Sequence, residues 1–349
     1  MPKGAEAIIH SWRECLIRFK DNPRVAAVKL DLENAYNNID RATMLSECLK
    51  SFPELYPYCW MCYANPSFLF VKGSTIQISS QQGTQQGCPL GCLLFCLVIH
   101  ILIKEIQVEF PSLIMNTWFI DDGSIMGDFI VINLILSKLR SQGPKYGFFL
   151  STTKSQIVWA CGSPHPDHSF PSSYEVYPSA NMDILGAPIG DAAFCDNFVL
   201  ARVMKKTSSI IKNLKKLDHT QTALLILRFC LSFCRMVYFI RVTPPGHLPS
   251  STSSFDSFIL ESIRSLIPYP INDIHTTQIQ LKLKNGGLGF RNSSNHHSAA
   301  YFSSINQCLP MVKDIFNASN QSSTDLVVST NLLRVAEVDI YSRVPNDFR

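Results

Sequence analysis

From Ala5 to Lys20 the apolar residues fall at Ile8, Ile9, Trp12, Cys15, Leu16 and Phe19, a spacing that predicts an amphipathic helix. Asp21-Asn22-Pro23 breaks the pattern, and Val25-Ala26-Ala27-Val28-Lys29-Leu30 then reads as a short apolar strand that ends at Asp31. Asp40 is placed to cap a helix running to about Lys50, and another helix follows Pro53. Ser67 to Val71 and Thr75 to Ser79 flank Lys72-Gly73-Ser74 as the arms of a hairpin. A polar loop from Gln81 to Cys88 leads through Pro89 into a long apolar helix ending near Phe110; proline suits a helix start because its φ is already set. In Trp118-Phe119-Ile120-Asp121-Asp122-Gly123-Ser124-Ile125-Met126 an apolar run climbs into two carboxylates and a second apolar run leaves. That pattern predicts a hairpin with acids at its tip and Gly123 supplying the bend.

Farther on, the pattern predicts a helix over about 129–140, a strand near 156–160, a Pro-, Ser- and His-rich surface loop from Cys161 to Ser179, and a tight hairpin in Ile184-Leu185-Gly186-Ala187-Pro188-Ile189-Gly190. Two helices then dominate up to Ile240, Pro244 to Ser254 reads as a linker, and the remainder is mostly helical, with a turn at Asn285-Gly286-Gly287-Leu288-Gly289 and surface histidines at His296-His297. No internal repeat is present. The expected organisation is an α+β part over 1–190, carrying one N-terminal helix, followed by a helical part over 191–349.

Composition narrows the class. The chain has 349 residues, 46% hydrophobic and 17% charged, enough apolar surface for a sizeable core and too little charge for global disorder. Its formal net charge of +4 is compatible with a polyanionic partner and does not by itself require one. The 12 cysteines come without a secretory signal pattern, and several lie in apolar helical stretches where a reduced thiol behaves as a small hydrophobe, so a reducing, intracellular compartment is expected. Cys59 and Cys62 have C-x-x-C spacing with no second Cys or His pair at zinc-finger distance, which argues against structural zinc. Leu90 to Ile103 is too short to span a bilayer, and Arg228 and Arg235 interrupt the longer run from Ala223 to Ile240; no membrane role is expected.

Two readings of Asp121-Asp122 stand at this point: a solvated turn, and a pair of carboxylates that a cation holds together. Asp31 ends a buried strand, where a sheet protein can present a charge. If it converges with the tip, three hard oxygen donors could hold two divalent cations about 4 Å apart, and such donors favour Mg2+ or Mn2+. The sequence alone does not bring Asp31 near Asp121.

The order of the segments adds a resemblance. Asp31 followed by Ala35-Tyr36, then Gln86-Gly87-Cys88-Pro89-Leu90 opening a helix, then Phe119-Ile120-Asp121-Asp122, resembles the palm of reverse transcriptases, and within them the non-LTR retrotransposon type. Gly147-Phe148 to Lys154 and Leu185 to Gly190 resemble the family's fourth motif and its primer-grip hairpin. The likeness runs from about Arg24 to Gly190, and the helical remainder resembles a thumb-like and downstream region. It implies an antiparallel palm and an RNA-directed DNA polymerase that extends a DNA primer on an RNA template with dNTPs. It also implies Asp31, Asp121 and Asp122 as catalytic metal-binding residues for Mg2+ or Mn2+, and nuclear residence.

The resemblance places Tyr36 where an aromatic excludes a 2′-hydroxyl; a core aromatic on the strand-to-helix turn is the other reading. Gln86 and Gly87 would sit where the nascent base pair meets the template, and Lys154 could donate to pyrophosphate or simply be solvated. Lys205, Lys206, Lys212, Lys215 and Lys216 form a basic helix end that could track a template–primer backbone or be a solvated face. Cys88 stands where the family usually has an acid or a small residue, Cys92 where it often has proline, and Asn37 where aspartate is frequent. Only about thirty residues precede Asp31, so most of the fingers region is expected to be missing. Two other functions stay open: a catalytically silent remnant that at most binds nucleic acid, and an RNA-templated RNA polymerase.

Overall fold

The computed structural model describes residues 3–318 apart from Ser74 and Pro178. In chain order the regular elements are α1 (Gly4–Arg18), β1 (Val25–Leu30), α2 (Ala35–Asn38), α3 (Arg41–Ser51), α4 (Tyr56–Tyr63), β2 (Ser67–Phe70), β3 (Gln77–Ser80), α5 (Gly91–Glu109), β4 (Met115–Phe119), β5 (Asp122–Asp128) and α6 (Phe129–Gln142). They continue with β6 (Gln156–Trp159), β7 (Glu175–Val176), β8 (Met182–Ile184), β9 (Ala187–Ile189), α7 (Ala192–Leu214), α8 (Thr220–Ile226), α9 (Val237–Val242), α10 (Pro249–Leu266), α11 (Asp273–Gln280) and α12 (Ser293–Ala318). The fold is mixed α+β. Its described residues form two compact units: 16–179 with 315–318, and 3–15 with 180–314. Most of α1 and the β8–β9 hairpin go with the helical unit.

The first unit is built on a five-stranded sheet in the order β4-β5-β1-β6-β7. The run Val25–Leu30 is apolar on both faces apart from Lys29, and it takes the central place, antiparallel to β5 on one side and to β6 on the other. Ala26, Val28 and Leu30 alternate onto one face with Ile125, Ile157 and Trp159, and they share a core with α3, α5 and α6. On α5 the buried Leu94, Phe95, Val98, Ile99, Leu102 and Ile106 form a helical stripe. By length and composition α5 and the stretch Thr220–Val242 could each cross a membrane, yet α5 sends this stripe into the core. Asp40 caps α3 by accepting from the Thr43 N–H at 2.7 Å, and Asp128 caps α6 by accepting from Ile130. The segment expected to be a surface loop, 161–179, instead buries Phe170 and Tyr174 and adds β7 parallel to β6. The β2–β3 hairpin stands out, with Phe68, Leu69, Phe70 and Ile78 exposed.

In the second unit α7 buries Cys195, Val199, Val203, Thr207, Ile211 and Leu214, a stripe at nearly every fourth residue. Two helix starts are capped by aspartates from other helices. Asp196 of α7 accepts from the Ser250 and Ser251 N–H groups opening α10, and Asp256 of α10 accepts from Ser293 and Ser294 opening α12. Pro249 therefore begins a helix where a longer linker was expected, its ring occupying a position without need of an N–H. The apolar stretch after Thr220 is not one helix: a π-turn over Leu227–Leu231 and a 3-10 turn over Phe233–Arg235 divide it.

The α1 helix is held within this unit by a buried polar network. Arg13 donates to the carbonyls of Val242, at 2.8 Å, and Pro188. Glu6 takes both guanidinium donors of Arg241, at 2.8 and 2.7 Å, and the Ser304 hydroxyl at 2.7 Å. With its proton given to Glu6, Ser304 accepts from His10 Nε2 at 2.9 Å, which makes His10 the neutral Nε2–H tautomer. His297, expected at the surface, is buried against the Thr243 carbonyl at 2.8 Å.

Candidate active site

Asp31 follows the last residue of β1. Its backbone N–H donates to Ser155 Oγ at 3.1 Å and its carbonyl accepts from the Ser151 N–H at 2.9 Å. The turn 151–155 thus fixes the aspartate and also carries Lys154, whose Nζ lies 4.0 Å from Asp31 Oδ1. Both side chains are well exposed, at 70% and 38%, so this ion pair is weak and gives way readily to a stronger cation.

The β4–β5 hairpin pairs Phe119 with Asp122, which leaves Ile120 and Asp121 as its two-residue tip. Ile120 has φ +60°, the conformation that a type II′ hairpin turn demands of its first central residue and that glycine usually supplies. A β-branched residue there costs roughly 1–3 kcal/mol of backbone strain, held by the strands on either side. Gly123 does not make the bend, contrary to expectation. It sits in β5 beneath the Trp118 ring, where a Cβ would come within 2.6 Å of the indole. The β1–β5 register pairs Leu30 with Gly123, so one step farther along the ladder Asp31 is level with Asp122.

Tyr36 ties the turn after Asp31 to α5. Its ring stacks on Phe95 with centroids 4.8 Å apart and planes at 25°, and its hydroxyl donates to Cys92 Sγ at 3.4 Å. Burial pushes the phenol pKa up, and the Cys92 thiol and the Asp121 carboxylate push in the same direction. The Tyr36 carbonyl accepts from the Thr84 N–H at 2.8 Å and that of Ile39 from Gly83 at 2.9 Å. The Gln86-Gly87 loop is thereby joined to the turn after Asp31. Gly83, at φ +68°, is required there, because a Cβ would meet the Asn37 backbone at 2.4 Å. Gln86 is exposed and lines an open groove of about 930 Å³ together with Asn37, Phe68, Ser80, Gln82 and Gln85.

Among the described residues, no group of three or more His, Cys, Asp or Glu side chains stands close enough to hold a metal ion. The donor set still suits Mg2+, which takes one or two carboxylates and completes its shell with water and substrate phosphates instead of a protein cage. A structural zinc, which takes four Cys or His ligands, does not fit these carboxylates. The five lysines Lys205, Lys206, Lys212, Lys215 and Lys216 are exposed on and just beyond the last turns of α7, in the other unit. Lys212, in the last turn of α7, also complements the macrodipole.

Arg41 escaped sequence reasoning. It is buried on α3 and donates to the carbonyls of Gly83 at 2.9 Å, Ser80 at 2.8 Å and Gln82 at 3.1 Å, and to Ser80 Oγ at 2.9 Å. It packs over Tyr63, whose hydroxyl accepts from the Gln85 N–H at 3.2 Å. The only sequence signal is an arginine at the first position of a helix, where the macrodipole disfavours a cation unless something else demands it.

A family model for reverse transcriptase (RNA-dependent DNA polymerase) matches residues 10–189. No curated protein matches the chain by sequence. Among solved structures, telomerase from Candida albicans in complex with a TWJ fragment of telomeric RNA is 11% identical with a TM-score of 0.47, over 97% of this chain and 53% of that one. Apo telomerase from Candida tropicalis is 13% identical with a TM-score of 0.43, over 90% and 56%. A C-terminally truncated form of the Candida tropicalis enzyme is 15% identical with a TM-score of 0.40, over 54% and 38%. The chain therefore spans about half, or less, of the length of the telomerase structures it matches. The family match runs from within α1 through β9, more than half of the sequence, and the chain belongs to the reverse transcriptase (RNA-dependent DNA polymerase) family.

Proposed function

We propose that this chain is an RNA-directed DNA polymerase of non-LTR retrotransposon origin, with residues 16–179 as its palm and the α7 region as a thumb-like element. The observation that carries the reading is the β1–β5 register, which ends with Leu30 opposite Gly123 and so brings Asp31 level with Asp122. Asp31 and Asp121 would hold magnesium together with the triphosphate, and Asp122 would support them. The ions, when bound, lower the pKa of a primer 3′-hydroxyl and neutralise the triphosphate charge.

The chain's own residues then have distinct tasks. Tyr36 forms the wall that a 2′-hydroxyl would strike, selecting dNTPs. Gln86 and Gly87 meet the nascent base pair, with Gly87 at φ +87° letting the backbone come close. Lys154, able to leave its weak pair with Asp31, donates to the departing pyrophosphate. The groove beside Gln86 offers amides and hydroxyls to base edges of the RNA template, and the α7 lysines supply sequence-independent phosphate contacts.

Primer extension on an RNA template with dNTPs and Mg2+ tests this. Activity that Asp121→Ala abolishes is expected, with ribonucleotides excluded. The exposed α7 lysines and the open groove beside Gln86, which need no metal, favour one other reading, a chain that binds nucleic acid without polymerising. Duplex binding with no extension by the unaltered chain would establish it.

A further inference from the structure

We infer that Cys92 is a positioning residue for nucleotide selection: it holds the Tyr36 ring in the orientation that excludes a 2′-hydroxyl. This rests on the reading of Tyr36 given above. Tyr36 lies on the short helix α2 and is only half-buried, so nothing in its own element fixes the ring. Two residues one turn apart at the start of α5 do so. Phe95 stacks on the ring face, and Phe95 is itself buried and packed edge-on against Phe148, so this wall does not move. Stacking fixes the plane of the ring and leaves its in-plane swing open. The hydroxyl of Tyr36, donating to Cys92 Sγ at 3.4 Å, closes that freedom at the far end of the ring.

Cys92 is exposed, on the second residue of α5, directly after the loop that carries Gln86 and Gly87. Its sulfur accepts this hydroxyl, so the bond joins the Gln-Gly loop to the aromatic wall. The Thr84 N–H bond to the Tyr36 carbonyl does the same for the backbone. A wall held at backbone, face and tip resists the roughly one-ångström shift that would admit an extra hydroxyl.

One hydrogen bond of this kind contributes about 1 kcal/mol, equivalent to roughly fivefold in a rate ratio. Extension of a primer on an RNA template by the full chain is measured with dNTP and with rNTP. Cys92→Ala is expected to lower the ratio of the two kcat/KM values about fivefold by raising kcat/KM for rNTP, a gain that loss of structure would not produce. Cys92→Ser, whose oxygen still accepts, restores the ratio. Tyr36→Phe matches Cys92→Ala, and the double variant is no worse than either.

Should Tyr36→Ala relax selection while Cys92→Ala does not, the inference fails and the reading of Tyr36 survives. Should Tyr36→Ala leave selection intact, that reading fails and the inference with it. Alkylation of Cys92 by iodoacetamide, timed against the exposed Cys230 as an internal reference, needs no turnover. Protection by dNTP with primer–template and Mg2+, and not by rNTP, supports the inference; equal protection by both, or none, overturns it.

Discussion

Replacing Arg41 with methionine removes a guanidinium and keeps most of the apolar stem that lies over Tyr63. Four hydrogen bonds disappear, three to carbonyls of the Ser80–Gly83 segment and one to the Ser80 hydroxyl. A bond from a charged donor is worth about 1.5–3 kcal/mol, and an orphaned buried acceptor forfeits nearly all of it. Only the bond to Gly83 is fully buried; the other three acceptors regain water, which leaves each loss at about 0.5 kcal/mol. The sum is about 3–4 kcal/mol of local stability for the loop that leads into Gln86 and Gly87.

Hydrogen exchange across residues 80–88, followed by mass spectrometry, reads that quantity directly. The Gly83 and Thr84 amides, bonded to Ile39 and Tyr36, should exchange roughly 100- to 700-fold faster in Arg41→Met, since each 1.4 kcal/mol is a factor of ten. Arg41→Lys, with one point charge in place of the fork, should fall between. Primer extension should drop at least tenfold, because the loop no longer holds its place beside Tyr36. Exchange within threefold of the wild type would falsify the claim that Arg41 organises the loop.

Three further outcomes are expected. Burial, joined by the Arg13 charge, holds the His10 pKa at about 3, against about 6.5 in an unfolded chain, so unfolding takes up a proton below pH 6.5. Stability is then full above pH 6.5 and falls as pH drops toward 3, by about 2 kcal/mol at pH 5. His247, also lowered by burial, acts in the same sense, so the measurement is the difference in urea unfolding at pH 7.5 and pH 5 between the wild type and His10→Gln. An unchanged pH dependence in the variant refutes the assignment; Glu6, which burial raises but the Arg241 and Ser304 bonds lower overall, loses its contribution only as pH falls below the ordinary value of 4.5, outside the comparison of pH 7.5 with pH 5. Gly147→Ala places a Cβ 1.8 Å from the Asn38 carbonyl at φ +85° and should cost at least 3 kcal/mol in a denaturation midpoint. Gly123→Ala meets only the movable, half-buried Trp118 ring and should cost about 1–2 kcal/mol; the reverse order of these two losses would contradict the packing described.

Local patterns carried much of this fold. The strand ending at Asp31, the hairpin tipped by Asp121, and the helix opened by Pro89 were all legible because apolar periodicity and turn residues are written within ten positions of where they act. What failed to show depends on distant partners. Phe170 and Tyr174 lie in a segment of loop composition and are buried because β6 offers an edge there. The run from Ala223 to Ile240 keeps an apolar pattern through a π-turn and a 3-10 turn, which composition does not mark. Gly123 was read for its turn propensity, while its actual constraint is the indole above it. At the site, residue types and order could suggest the acidic positions, but their level relation comes from a strand register that sequence spacing does not contain. Arg41 acts through four long-range bonds and Cys92 through one, and neither leaves a periodic trace.

The central place of β1 has a consequence for synthesis. It is made first among the strands, yet both of its neighbours lie far downstream, with β5 beginning at Asp122 and β6 at Gln156. At about 5–20 residues per second, a nascent chain carries Val25–Leu30 for several seconds or more before either edge can be covered. Over that interval an apolar strand with two open edges is free to pair with other chains. A translational pause ahead of residue 122 would lengthen the exposure, and one after residue 160 would give the sheet time to close before the helical unit emerges.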